Sequence, residues 1–111
     1  MHHADCQHLR WLFAVPNGGH RGKASAGKMK AEGQRTGVPD LSLPVPRVAG
    51  GRTFHGLWLE LKKTGGAPSE DQWDWLTHLH RAGYAAHVVN DPDTARQLIT
   101  DYLSLPSPDP I

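Results

Sequence analysis

The segment Phe54–Lys63, with the sequence FHGLWLELKK, contains the pattern that decides the fold. From residue 57 onward, three leucines alternate with a tryptophan, a glutamate and a lysine. A period of two is typical of a β-strand, so Glu60 and Lys62 are expected on one face and the leucines on the other. Trp58 and the leucines also indicate that both faces of this strand are partly covered.

A second, shorter strand is predicted just upstream, over Val38–Leu43, and it opens with Pro39-Asp40. The Pro/Gly-rich segment Pro44–Arg52 has the length of a long hairpin connection and is interpreted as a turn. If the two strands pair as a hairpin, the carboxylates of Asp40 and Glu60 meet at one edge.

The N-terminal part of the chain predicts one strand and one helix. Leu9–Val15 is an apolar run typical of a buried strand, and Pro16-Asn17-Gly18-Gly19 ends it. Gly22–Glu32 is predicted to be helical, with a narrow face of small residues and Gly33 as its stop.

The C-terminal part predicts helix, strand and helix. Ser69–Ala82 starts with an S-x-x-Q capping box formed by Ser69 and Gln72, and Gly83 ends the helix. Tyr84–Val89 is a strand, and Asp91-Pro92-Asp93 begins a last helix. The apolar face of that helix comprises Ala95, Leu98, Ile99, Tyr102 and Leu103.

The order of elements predicts an α/β fold in which a mixed sheet is flanked by helices. With 111 residues, the chain is long enough for one domain. We expect a flexible N-terminus over residues 1–8, a folded domain over 9–103 and a flexible tail over 104–111, which is rich in proline.

Composition and charge restrict the functional classes. No apolar run approaches the roughly 18–20 residues of a membrane span, and no signal peptide is apparent. The single Cys6 suits a reducing compartment, which predicts a cytoplasmic protein. Residues 1–37 carry six basic groups against two acids, whereas residues 67–111 carry two against seven. A polyanion is therefore expected over the N-terminal half, although small proteins often segregate charge without such a partner.

Asp40, Glu60 and Lys62 have the chemistry that phosphodiester hydrolysis requires. Two carboxylates and the backbone carbonyl of Leu61 are oxygen ligands of the kind that Mg²⁺ prefers. Lys62 can orient the attacking water or hold a phosphate oxygen. As a bare pattern, Asp…Glu-x-Lys is weak, and its spacing alone favours a solvated surface ion pair between Glu60 and Lys62.

Several sequence blocks occur in an order that resembles a known family. They are Val15-Pro16-Asn17-Gly18-Gly19, Gly37-Val38-Pro39-Asp40-Leu41, Gly56-Leu57-Trp58-Leu59-Glu60-Leu61-Lys62-Lys63, Ser69-Glu70-Asp71-Gln72-Trp73-Asp74-Trp75-Leu76, Gly83-Tyr84 and Tyr102-Leu103. Together they resemble the VRR-NUC domain, the virus-type replication-repair nuclease branch of the PD-(D/E)XK superfamily. The resemblance covers Leu9–Leu103 and is closest to small stand-alone members of phage type.

The resemblance implies a restriction-endonuclease-like fold and Mg²⁺- or Mn²⁺-dependent cleavage of DNA. By position, Asp40, Glu60, Lys62 and Gln72 would be catalytic, and the metal would be held by Asp40, Glu60 and the Leu61 carbonyl. Small members of the family resemble junction-resolving nucleases that act as homodimers, and larger relatives belong to DNA repair. The partner implied is therefore duplex or branched DNA, with no membrane.

The residues expected to contact DNA combine the turn after the first strand with nearby cations. They are Asn17, Gly18, Gly19, His20, Arg21, Lys23, Lys28, Arg35 and Lys63. Family members usually carry a further metal-binding glutamate on an N-terminal helix, and neither Asp5 nor Glu32 matches it by position. A DNA-binding or subunit-type domain without cleavage activity is therefore the alternative.

Overall fold

A computed structural model of the chain describes residues 7–16, 33 and 35–108. The strands are β1 (Phe13–Ala14), β2 (Leu41–Leu43), β3 (Arg47–Ala49), β4 (Arg52–Phe54), β5 (Leu57–Leu61) and β6 (Ala85–Val89). The helices are α1 (Glu70–Arg81) and α2 (Pro92–Leu103). The predicted helix over Gly22–Glu32 lies outside the described residues.

Four of the strands form a mixed sheet in the order β1-β2-β5-β6. The β1–β2 and β2–β5 pairs are antiparallel, and the β5–β6 pair is parallel. Parallel neighbours need a long crossover, and α1 lies in the segment that connects β5 to β6. The antiparallel β2–β5 pairing confirms the predicted pairing of the strand at Asp40 with the strand at Glu60. The first of these strands begins at Leu41, directly after Asp40, and not at Val38 as predicted.

The central strand β5 is covered on both faces, as its composition predicted. Leu57 and Leu59 belong to an apolar core that α2 completes with Ile99 and Tyr102. On the opposite face of β5, Glu60 is only 1% exposed. This strand therefore places a carboxylate in the protein interior, where it needs partners.

Both helices begin at the predicted signals, and α1 also ends at its predicted signal. Ser69 and Gln72 form a reciprocal capping box at the start of α1. Gly83, with φ +98°, follows the end of α1 in a conformation that favours glycine. The Asp91 side chain accepts from the Thr94 N–H at the start of α2.

The prediction of a buried strand over Leu9–Val15 is wrong in two respects. Leu9–Trp11 forms a 3₁₀ helix, and only Phe13–Ala14 is a strand. Both residues of β1 are exposed, because this strand lies at the edge of the described sheet and pairs there with β2 alone. An apolar run of this length does not distinguish helix from strand by its periodicity.

The interpretation of Pro44–Arg52 as a simple turn is also wrong. Strands β3 and β4 pair across Gly50-Gly51 and form a separate two-stranded sheet within this connection. Both glycines have positive φ, +58° and +76°, as a two-residue type I′ hairpin loop requires. The hairpin lies beyond the ends of β2 and β5 that are remote from Asp40 and Glu60.

The segment after α2 contacts the hairpin and the core. The N–H of Val48 donates to the carbonyl of Pro106 at 2.8 Å. Leu105 packs against the apolar core. In the part of the chain that the structure describes, no helix has the length and apolar character needed to cross a membrane.

Candidate active site

The pairing of β2 with β5 brings Asp40 and Glu60 together. Leu41 pairs with Leu59 in this antiparallel register. One residue further along, the same register places Asp40 opposite Glu60, with both side chains on one face of the sheet. The carbonyl of Asp40 also accepts from the N–H of Val15 at 2.8 Å, which ties this position to the end of β1.

The Asp40 side chain is anchored to the backbone of β5. The N–H of Leu61 donates to Asp40 Oδ2 at 2.8 Å. At the point where the β2–β5 ladder ends, a carboxylate oxygen thus takes the place of a strand carbonyl. This bond was not predicted from the sequence, because the bond depends on the exact register of β2 and β5.

The Glu60 carboxylate is buried, and its two oxygens have different surroundings. Gln72 Nε2 donates to Glu60 Oε1 at 3.2 Å, and Lys62 Nζ lies 3.8 Å from the same oxygen. Glu60 Oε2 is buried and has no hydrogen-bond partner among the described residues. A solvated surface pair of Glu60 with Lys62 does not fit this arrangement, because the glutamate is inaccessible.

The environment of Glu60 favours its protonated form. Burial, followed by the negative charge of the neighbouring Asp40, raises the pKa of Glu60 to about 7, while Lys62 acts in the opposite direction. Two carboxylates placed together without a cation destabilise each other's charge. A positive charge between them would remove this penalty.

The Gln72 side chain makes hydrogen bonds both to the N-cap of α1 and to Glu60. Its Oε1 accepts from the N–H of Ser69 at 2.8 Å, while its Nε2 donates to Glu60. Sequence analysis gave Gln72 both a capping and a site role, and the structure places the side chain where it makes both contacts. The contact with Glu60 depends on how α1 docks on the sheet, which no local signal in the sequence reveals.

Gly37 brings the Asp40 segment close to the first turn of α1. It has φ +88°, and an added Cβ would lie 2.7 Å from the backbone carbon of Asp71. Thr36 Oγ1 also donates to Asp71 Oδ2 at 3.2 Å. Gly37 therefore lies in a turn whose positive φ favours glycine, and the close approach to α1 is an additional reason for glycine here.

The oxygen ligands that could hold a divalent cation are the carboxylates of Asp40 and Glu60. The partnerless Glu60 Oε2 is the observation that favours a cation, because a buried acceptor without a partner is costly. No group of three or more acidic, histidine or cysteine side chains suited to a metal occurs within residues 7–16, 33 and 35–108. The site therefore offers two carboxylates among the described residues, with the Leu61 carbonyl as the predicted third ligand.

The residues predicted to bind DNA fall into two groups. Arg35 and Lys63 are exposed. The remaining seven, which are Asn17, Gly18, Gly19, His20, Arg21, Lys23 and Lys28, lie outside the described residues.

Comparison with known proteins identifies the fold. No protein-family model matches the sequence, and no curated protein matches it. A solved structure described as a VRR_NUC domain protein is similar to this chain, with a TM-score of 0.75 and 27% sequence identity. The similarity covers 92% of this chain and 75% of the other. The chain has the fold of a VRR-NUC domain.

The VRR-NUC likeness confirms the resemblance inferred from the sequence blocks and the predicted restriction-endonuclease-like fold class. It supports a nuclease-type domain. That the chain is a stand-alone VRR-NUC member of phage type remains a prediction. The roles of the individual site residues also remain predictions.

Proposed function

We propose that this chain is a metal-dependent DNA endonuclease that hydrolyses phosphodiester bonds. The observation that carries the proposal is the juxtaposition of Asp40 with the buried Glu60, whose Oε2 lacks a partner among the described residues. Burying Glu60 beside a second carboxylate costs stability, so this arrangement indicates a role that the fold alone does not require. The nuclease-type fold supports the same reaction class.

Mg²⁺ or Mn²⁺ would be held by Asp40, Glu60 and the Leu61 carbonyl. When bound, such an ion activates water as a nucleophile and neutralises charge on the phosphate. The donor set fits these ions, because hard cations of this kind prefer carboxylate and carbonyl oxygens. The raised pKa of Glu60 indicates that its negative charge is not fully compensated, and a divalent cation would supply the compensating positive charge.

The chain's own residues have distinct roles in this proposal. Asp40 is held in place by the Leu61 N–H, so its carboxylate is fixed before DNA binds. Lys62 lies 3.8 Å from Glu60 Oε1 and is partly exposed, so its ammonium group can reach a phosphate oxygen or orient a water. Gln72 acts through Glu60 and is a positioning residue.

Removing Lys62 tests the catalytic assignment. The Lys62→Ala variant should lower kcat by roughly 100-fold or more, because a positioned cation that stabilises transition-state charge is lost. Lys63→Ala is the matched control, since Lys63 is the adjacent exposed lysine. It should raise KM for DNA and leave kcat near the wild-type value.

The assay would use supercoiled plasmid, linear duplex and a four-way junction, each with Mg²⁺, Mn²⁺ or EDTA. Preferential cutting of the junction would support the proposed selectivity for branched DNA. Equal cutting by wild type and Lys62→Ala would refute the assignment of Lys62. Absence of cutting by wild type with either metal would refute the endonuclease proposal.

A DNA-binding domain without cleavage activity is the second candidate function. The observation that favours it is that only two carboxylates come together in the part of the chain that the structure describes. Metal dependence separates the candidates, because such a binder would hold DNA equally well in EDTA and never cut it. Steep salt dependence of binding is expected for both, since phosphate contacts release counterions.

We also propose that the chain acts as a homodimer. A domain of 111 residues has little surface for a branched duplex, and a two-fold pair could cut two strands symmetrically. Multi-angle light scattering at micromolar concentration should give twice the chain mass of 12.2 kDa. A monomer mass at this concentration would contradict this proposal.

A further inference from the structure

The side-chain amide of Gln72 is held at both ends. Its Oε1 accepts from the backbone N–H of Ser69 at 2.8 Å, and its Nε2 donates to Glu60 Oε1 at 3.2 Å. The Ser69 hydroxyl makes a separate bond, accepting from the Gln72 backbone N–H at 3.3 Å. The helix cap and the candidate site are therefore joined through one amide group.

The backbone N–H of Ser69 determines which end of that amide faces the glutamate. Rotation of the amide by 180° would place its NH₂ group against the Ser69 N–H, and its oxygen against the Glu60 carboxylate. Both contacts would then be repulsive, since two donors and two acceptors would face each other. The observed orientation is the one in which both are hydrogen bonds.

We propose that Ser69 is a positioning residue for Glu60 and acts through Gln72. With Nε2 directed at it, Glu60 Oε1 is engaged by both Gln72 and Lys62, while Oε2 stays without a partner among the described residues. The Ser69 N–H thus determines which carboxylate oxygen is left for a cation. This inference rests on the proposed metal-dependent function, and it extends the site to the N-cap of α1.

The competing explanation is that Ser69 only stabilises α1. Two substitutions separate these roles, because Ser69 contributes two different groups. Ser69→Ala removes the hydroxyl and keeps the backbone N–H. Ser69→Pro removes both, and the φ of −69° at this position is one that proline adopts without strain.

The test is the affinity for Mn²⁺ measured by calorimetry without DNA, together with thermal melting. Ser69→Ala should lower the melting temperature by roughly 5 °C through the lost cap bond, and change Mn²⁺ affinity less than about twofold. Ser69→Pro should melt near Ser69→Ala and bind Mn²⁺ roughly fivefold more weakly. Gln72→Ala should show the largest loss of Mn²⁺ affinity, about tenfold, because it removes the whole amide that contacts the metal ligand Glu60.

Cleavage provides a second measurement of the same effect. Ser69→Pro should require more Mn²⁺ for half-maximal cutting but approach the wild-type rate at saturating Mn²⁺. Equal Mn²⁺ affinities for Ser69→Pro and Ser69→Ala would overturn the proposal. The proposal would also be overturned if Ser69→Ala bound Mn²⁺ as weakly as Gln72→Ala. The Ser69 hydroxyl, and not its backbone N–H, would then be the group that positions Glu60.

Nuclear magnetic resonance of the Gln72 side-chain NH₂ group keeps the inference testable if the proline variant does not fold. In wild type, its protons should exchange slowly with water and shift when Glu60 is replaced by glutamine. Fast exchange with no such shift would overturn the proposal. If wild type binds no Mn²⁺, the proposed metal-dependent function fails, while this measurement still reports whether the amide is held.

Discussion

Glu60→Gln is expected to abolish metal-dependent cleavage while it stabilises the metal-free protein at pH 8. The glutamate is 1% exposed, and its pKa is raised to about 7, mainly by burial. At pH 8 the folded protein must therefore keep a buried carboxylate ionised beside Asp40. A glutamine has nearly the same shape and no charge, so the variant avoids this penalty but loses a metal ligand.

The direction of the pH effect follows from the two pKa values. Because the folded pKa lies above the ordinary value of 4.5, the folded state holds this proton more tightly than the unfolded state. Below about pH 4.5 both states are protonated, and the glutamate carries no penalty. Stability then falls as pH rises towards 7, and the full penalty, about 3 kcal/mol at most, is present above it.

Urea denaturation in EDTA at several pH values between 4.5 and 8 measures this effect. Wild type should lose stability across the range relative to Glu60→Gln, and the two proteins should converge at the acidic end. Cleavage by the variant should fall by roughly 100-fold or more with either metal. Parallel pH profiles for the two proteins would show that Glu60 is not the titrating group.

Gly37→Ala is expected to destabilise the fold by about 2–4 kcal/mol and to reduce cleavage. The added methyl group would lie 2.7 Å from the carbonyl oxygen of Asp71, and the residue would have to keep φ +88°. The conformational cost contributes about 1 kcal/mol and the overpacking roughly 1–3 kcal/mol. To relieve the contact, either the start of α1 or the segment leading to Asp40 must move.

Gly65→Ala is the matched control for the backbone conformation. Gly65 has nearly the same φ, +83°, but a Cβ there would meet nothing within 4 Å. The Gly65→Ala variant should therefore lose only about 1 kcal/mol of folding stability, which is the cost of the backbone conformation alone. Denaturant midpoints for the two variants therefore isolate the contact with α1, and equal losses would mean that the close approach has no energetic consequence.

Local signals in the sequence predicted the parts of the fold that surround the site. Alternation over residues 57–62, the capping box at Ser69 and the Pro92 start of α2 each depend on near neighbours. The β2–β5 hairpin, and with it the meeting of Asp40 and Glu60, could therefore be inferred. By contrast, β1 is a two-residue edge strand whose apolar residues are exposed, so its composition was misleading.

The finer arrangement of the site depends on tertiary packing. The bond from Leu61 N–H to Asp40 requires the exact end of a strand ladder, and the bond from Gln72 to Glu60 requires the docking of α1. Neither property is encoded in a short segment. The β3–β4 hairpin was different, because Gly50-Gly51 between two strand-like triplets is a local signal that the interpretation as a turn overlooked.

The Gly50-Gly51 hairpin also has a practical consequence for altering this protein. The spacing of Asp40 and Glu60 is set by strand register, and the segment that connects their strands turns at the opposite end of the sheet. Gly50 and Gly51 are exposed, with open space around each Cβ position. Lengthening the chain at this tip, for example with an affinity tag or a fluorescent label, would leave the two carboxylates in register with each other.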